Sequence, residues 1–108
     1  MLSEHRPEEW TAVADAASLK DSDPIAVEVA GVEVMLVRQG ESCFALLDRC
    51  AHQGGPLHEG SIEDGAVICP WHSSRYRLSD GTALSGPTAH PQPALEVRVQ
   101  NGKIELRR

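Results

Sequence analysis

The chain has 108 residues, 41% hydrophobic and 24% charged, which suits one domain over residues 1–108 and leaves no room for a second. Its 16 acidic residues against 10 basic ones give a net charge of −6, the wrong sign for gripping a phosphate backbone, so no nucleic-acid partner is expected. One Phe, one Tyr and two Trp must serve the whole interior, which is therefore expected to be aliphatic.

The N-terminal Met1-Leu2-Ser3-Glu4-His5 carries acid and polar groups where a secretory leader would need a basic segment and an apolar run, so a cytoplasmic location is expected. Residues 1–33 hold eight acids against Arg6 and Lys20, so all the excess negative charge lies in the first third. Thr11 to Lys20 is rich in alanine but lacks a 3.6 period and is soon followed by Pro24, which reads as strand then turn. Ile25, Val27 and Val29, then Val32, Val34 and Leu36, alternate across Ala30-Gly31 and predict a hairpin. The aliphatic run Val34 to Val37 is four residues long, far short of the about 20 needed to span a membrane, and no membrane association is expected. Phe44 to Leu47 suits a further strand, with Cys43 in it as a small buried hydrophobe. Residues 48–93 hold six of the nine glycines and Pro56, Pro70, Pro87, Pro91 and Pro93, and read as loops on a scaffold. Leu95, Val97 and Val99, then Ile104 and Leu106, flank Asn101-Gly102, the pair that supplies the positive φ angles of a type I′ hairpin turn.

Chemistry concentrates in the loop region. Cys50-Ala51-His52 is followed, after 16 intervening residues, by Cys69-Pro70-Trp71-His72, so two thiols and two imidazoles come from two loops. The third cysteine, Cys43, has no histidine near it, and an odd count of three argues for metal binding over a secreted disulfide scaffold. Structural zinc uses the same donors but usually pairs Cys with Cys and His with His. One of each per loop suits instead a two-iron centre in which one metal takes both thiolates and the other both imidazoles. A zinc-stabilised binding module remains the rival of a different class.

With those residues in view, the sequence resembles the Rieske [2Fe–2S] family. Cys50-Ala51-His52-Gln53-Gly54-Gly55-Pro56-Leu57 is similar to its first cluster loop and Cys69-Pro70-Trp71-His72 to its second. Gly86-Pro87 sits where the family has a proline loop covering the cluster, and Pro93 to Val99 is also similar. The resemblance implies an all-β, Rieske-like antiparallel β-sandwich of small sheets, with a cluster-binding subregion at about 48–90 and one [2Fe–2S] cluster per chain held by Cys50, His52, Cys69 and His72. Gly55 and Trp71 occupy the positions of a loop-stapling cysteine pair found in respiratory members, so no disulfide is expected. Ser73 stands where glycine is usual and Arg77 where aspartate is common.

Around the ligands, the resemblance implies that Ser74 and Tyr76 donate hydrogen bonds to cluster sulfur, which stabilises the reduced form, the alternative for Ser74 being a loop-turn hydroxyl. The alternative reading of Tyr76 is a half-buried aromatic whose hydroxyl meets water. Trp71 is expected to shield the cluster or join the core, Pro87 to cover the cluster, and Arg49, Arg75 and Arg77 to be solvated. His58 and His90 are read as surface histidines and His5 as part of a frayed terminus.

Two ferric ions, two sulfides, two thiolates and two neutral imidazoles sum to about zero, against about −2 with four thiolates, which raises the potential from about −400 mV into the range of about −150 to +300 mV. Nothing in the chain supplies a substrate pocket, a mononuclear iron triad or a nicotinamide fingerprint, so it is expected to be a one-electron carrier and no enzyme by itself. The resemblance implies a monomeric ferredoxin taking electrons from a reductase and delivering them to an oxygenase. The alternative is the small Rieske subunit of a nitrite-reductase-like enzyme.

Overall fold

Ten antiparallel strands build the protein in the computed structural model, which describes residues 10–49, 55–71, 73–86 and 91–107. Six of them form one sheet in the order β1-β10-β9-β4-β3-β2, from β1 (Thr11–Asp15), β2 (Ile25–Val29), β3 (Val32–Gln39), β4 (Ser42–Leu47), β9 (Ala94–Gln100) and β10 (Lys103–Arg107). The other four, β5 (Ser61–Glu63), β6 (Ala66–Ile68), β7 (Arg75–Arg77) and β8 (Ala83–Ser85), form a smaller sheet in sequential order. The all-β expectation is borne out. The Ala-rich segment is a strand followed by a 3₁₀ turn at Ala16–Ser18.

Both long hairpins follow from alternation. Ile25 pairs with Leu36 and Val29 with Val32 across Ala30 and Gly31, both at positive φ (51° and 81°). Lys103 pairs with Gln100 across Asn101 and Gly102, at φ 54° and 76°, the type I′ geometry expected of that dipeptide. β3 explains the run Val34 to Val37: successive side chains point to opposite faces, and both faces are buried. Val34 and Leu36 enter one core with Val29, Ala45, Ile104 and Leu106, whereas Met35 and Val37 enter another with Leu46, Leu57, Val67, Tyr76 and Leu78. β4 joins β9 only through Ala45↔Leu95 and Leu46↔Ala94, and beyond that short junction the large sheet folds over so that β10 packs toward β3. The second core glues the small sheet onto β3 and β4.

One expectation needs correction. Residues 48–93 are not loops alone, because β5 to β8 lie within them. Each has three residues, too few for a period to declare itself, and β7 contributes only Tyr76 to the interior. The β5–β6 turn is Asp64-Gly65, at φ 51° and 75°, another type I′ pair. Among the described residues no helix is long and apolar enough to cross a membrane.

Candidate metal centre

The segment between β4 and β5 is closed at its base. Arg49 and Pro56 form an isolated antiparallel bridge, and the Leu57 amide donates to the Asp48 carbonyl at 3.2 Å, with the Leu57 side chain fully buried beneath. Asp48 is itself buried, and its carboxylate accepts the His58 backbone N–H at 2.7 Å and meets His58 Nδ1 at 2.7 Å. His58 is thus no free surface histidine, since its ring is committed to a carboxylate that burial would otherwise leave unsatisfied. Gln92, also buried, donates its side-chain amide to the carbonyls of Leu47, at 2.9 Å, and Arg49.

β6 and β7 hold the second segment. The Cys69 amide donates to the Ser74 carbonyl at 2.8 Å and the Ser73 amide to the Cys69 carbonyl at 3.1 Å, a narrow turn that needs a left-handed residue at Ser73, with φ 60°. That conformation costs a side chain about 1–2 kcal/mol, while a glycine there adds about 0.4–1 kcal/mol of entropy to the unfolded chain. Strain wins, so Ser73→Gly is expected to stabilise the protein by about 0.5–1 kcal/mol and raise its thermal midpoint by about 3–6 °C. A lower midpoint in a thermal melt would contradict this.

Cys69 is buried at the top of the second core, Tyr76 is fully buried beside it, and Ser74 is fully buried as well. The reading of Tyr76 as half exposed is therefore overturned. Ser74 Oγ has no hydrogen-bond partner among the described residues. Gly86, at φ 115°, ends β8 directly against Ser74: a Cβ there would lie 2.6 Å from Ser74 Cα and 2.7 Å from its Oγ. Gly55 brings the first segment onto the second, since a Cβ there would stand 3.1 Å from Cys69 Sγ and 3.0 Å from the Trp71 ring. Trp71 is not a core residue; it is 55% exposed, on the outer side of that contact.

Cys50, His52, His72 and Pro87 lie outside the described residues, as do His5 and His90. Among the described residues no group of three or more His, Cys, Asp or Glu side chains is placed to hold a metal. Burial pushes the half-buried Cys43 thiol up, as suits a packing residue on β4. Arg75 and Arg77 are not simply solvated: they pair with Glu63 at 3.7 Å and Asp80 at 3.2 Å. The Thr82 backbone N–H holds the Asp80 carboxyl below the usual range, and nothing in the structure explains why arginine in particular stands at position 77. Asp48 and Gln92 had no sequence signal, because neither lies in a motif and their partners are backbone groups brought in by folding.

The sequence model of the Rieske [2Fe–2S] domain matches residues 9–101. The chain belongs to that family. The cofactor of this Rieske domain is a [2Fe–2S] cluster, which serves electron transfer. The Rieske chain is 31% identical over 99 residues to the anthranilate 1,2-dioxygenase ferredoxin subunit of Burkholderia cepacia, covering 91% of each. Its fold matches the ferredoxin of carbazole 1,9a-dioxygenase from Nocardioides aromaticivorans IC177 with a TM-score of 0.88 at 31% identity, over 91% of this chain and 96% of that one. A chain from Mycobacterium tuberculosis described as an NADH-dependent nitrite reductase small subunit gives a TM-score of 0.85 over 93% and 95%, but at 23% identity shares the fold alone.

The described residues fit a Rieske cluster. Cys69 offers a buried thiol, Ser74 Oγ is a buried donor with nothing described to receive it, and Gly55 keeps clear the space beside Cys69 Sγ that a side chain would fill.

Proposed function

We propose that this chain is the ferredoxin of an oxygenase system, accepting one electron at a time from a reductase and passing it to the oxygenase. The observation that carries the reading is the likeness to a dioxygenase ferredoxin subunit over 91% of both chains. Cys50, His52, Cys69 and His72 would hold the cluster, the thiolates on one iron and the imidazoles on the other. The bound cluster supplies one reversible electron.

The chain's own residues do the rest. The buried Cys69 holds the inner side of the site against the second core, and Ser74 and Tyr76 offer hydroxyls to sulfur. Trp71, on the outside of the Gly55 contact, would screen the flank of the cluster, and Pro87 would cover it. The whole chain acts as one domain and as a monomer, with a net charge of −6 keeping copies apart and nucleic acid away. An odd number of cysteines suits the cytoplasm.

Anaerobic dithionite titration should consume one electron per chain, and mixing the reduced protein with the oxidised oxygenase component of an anthranilate 1,2-dioxygenase should reoxidise it. A colourless protein that takes up no electron, as a zinc module would be, overturns the carrier reading; a reducible protein that the oxygenase component leaves reduced overturns the choice of acceptor.

A further inference from the structure

Gln92 is 1% exposed, two residues before β9, and a buried amide is expensive unless both of its ends are used. Its side-chain nitrogen donates to the Leu47 and Arg49 carbonyls, which bracket Asp48 at the exit of β4. Its backbone amide donates to the Gly81 carbonyl at 2.7 Å, and the Gly81 amide in turn donates to the Arg77 carbonyl at 2.7 Å. The Leu47 amide donates to the Pro93 carbonyl at 3.0 Å, so the strand exit and the Gln92-Pro93 dipeptide are joined from both sides. One residue therefore ties the base of the first segment to the β7–β8 turn, and β7 carries Ser74's neighbour Arg75 and the buried Tyr76.

We propose that Gln92 is a positioning residue for electron transfer, which aims the first cluster loop by holding the peptide that joins Arg49 to Cys50. This rests on the cluster-binding reading above. A peptide group is planar, so a carbonyl held in place fixes the plane that the next residue must start from. A carbonyl that accepts a hydrogen bond also polarises its own peptide and makes the N–H at the other end a stronger donor. Gln92 thus acts twice: it fixes the Arg49 carbonyl from which the first cluster loop departs, and it would make the N–H of that same peptide a stronger donor toward cluster sulfur, which favours the reduced form. An apolar side chain of the same size would fill the volume and do neither.

The test uses the full-length cluster-loaded protein and the variants Gln92→Leu and Gln92→Met, both close in volume and without a donor. Each should release iron to a chelator at least tenfold faster than the wild type, and its midpoint potential should fall. The expected fall is a roughly threefold smaller reduced-to-oxidised ratio at fixed potential, or about 28 mV at about 59 mV per tenfold. Unchanged potentials and release rates in a folded variant overturn the proposal. Should neither variant fold, the side-chain amide protons of Gln92 in the oxidised wild type decide: exchange slowed at least a hundredfold relative to a free glutamine supports the clamp, and exchange at the free rate overturns it. A wild type that holds no iron and sulfide defeats the cluster reading itself, a result distinct from either of these.

Discussion

Gly86→Ala is expected to destabilise the protein by about 3 kcal/mol and to leave most of it without a cluster. Two effects add. The φ of 115° is outside what a side chain tolerates, and the new Cβ would meet Ser74 Cα at 2.6 Å, Oγ at 2.7 Å and Cβ at 3.0 Å. Ser74 cannot retreat, because it is fully buried and its carbonyl receives the Cys69 amide. Gly86 must move instead, and Pro87 moves with it. Gly40→Ala is the mild reference, since its φ of 65° is one that side chains adopt at a cost and an added methyl carbon would find no neighbour within 4 Å, so its loss should be about 1 kcal/mol. Denaturant unfolding with iron analysis measures both variants; equal losses would mean that the approach of Gly86 to Ser74 contributes nothing.

Ser74→Ala should change the apo and holo proteins in opposite senses. Without the cluster, the Ser74 hydroxyl is a buried polar group with no partner among the described residues, and removing it should raise unfolding stability by about 1 kcal/mol. With the cluster bound, the hydroxyl has a sulfur to donate to, and that bond strengthens when an electron adds negative charge. A strengthening of about 1.4 kcal/mol is a tenfold change in the redox equilibrium, or about 59 mV, so the midpoint of the variant should fall by about 60 mV. Voltammetry of the holo variant and denaturation of the apo variant read the two effects separately. A holo midpoint that does not move would remove Ser74 from the control of potential.

What was legible in the sequence follows from length and period. β2, β3, β9 and β10 run five to eight residues and show alternation, and Asn101-Gly102 named its own turn. β5 to β8 have three residues each, and in Ser61-Ile62-Glu63 a single inward residue carries the whole signal. Asp64-Gly65 was the one mark of that sheet, since it supplies the same positive φ pair as Asn101-Gly102. In the site, the cysteine and histidine spacing was readable because ligand identity is chemistry, and chemistry is written in residue types. The supports were not. Asp48, His58 and Gln92 are satisfied by one another or by backbone carbonyls from Leu47 and Arg49, and a carbonyl has no letter in the sequence. Of the two readings of Trp71 only the core one failed, and for a related reason: a large aromatic suggests a core, but Gly55 and the buried Cys69 already pack at the inner side of that contact.

The most direct test of the account is nitrogen ENDOR spectroscopy of the dithionite-reduced protein. Two strongly coupled nitrogens on a mixed-valence iron pair are the expected result, matching His52 and His72. A reduced iron pair with no coupled nitrogen, or no paramagnetic signal at all, would contradict it.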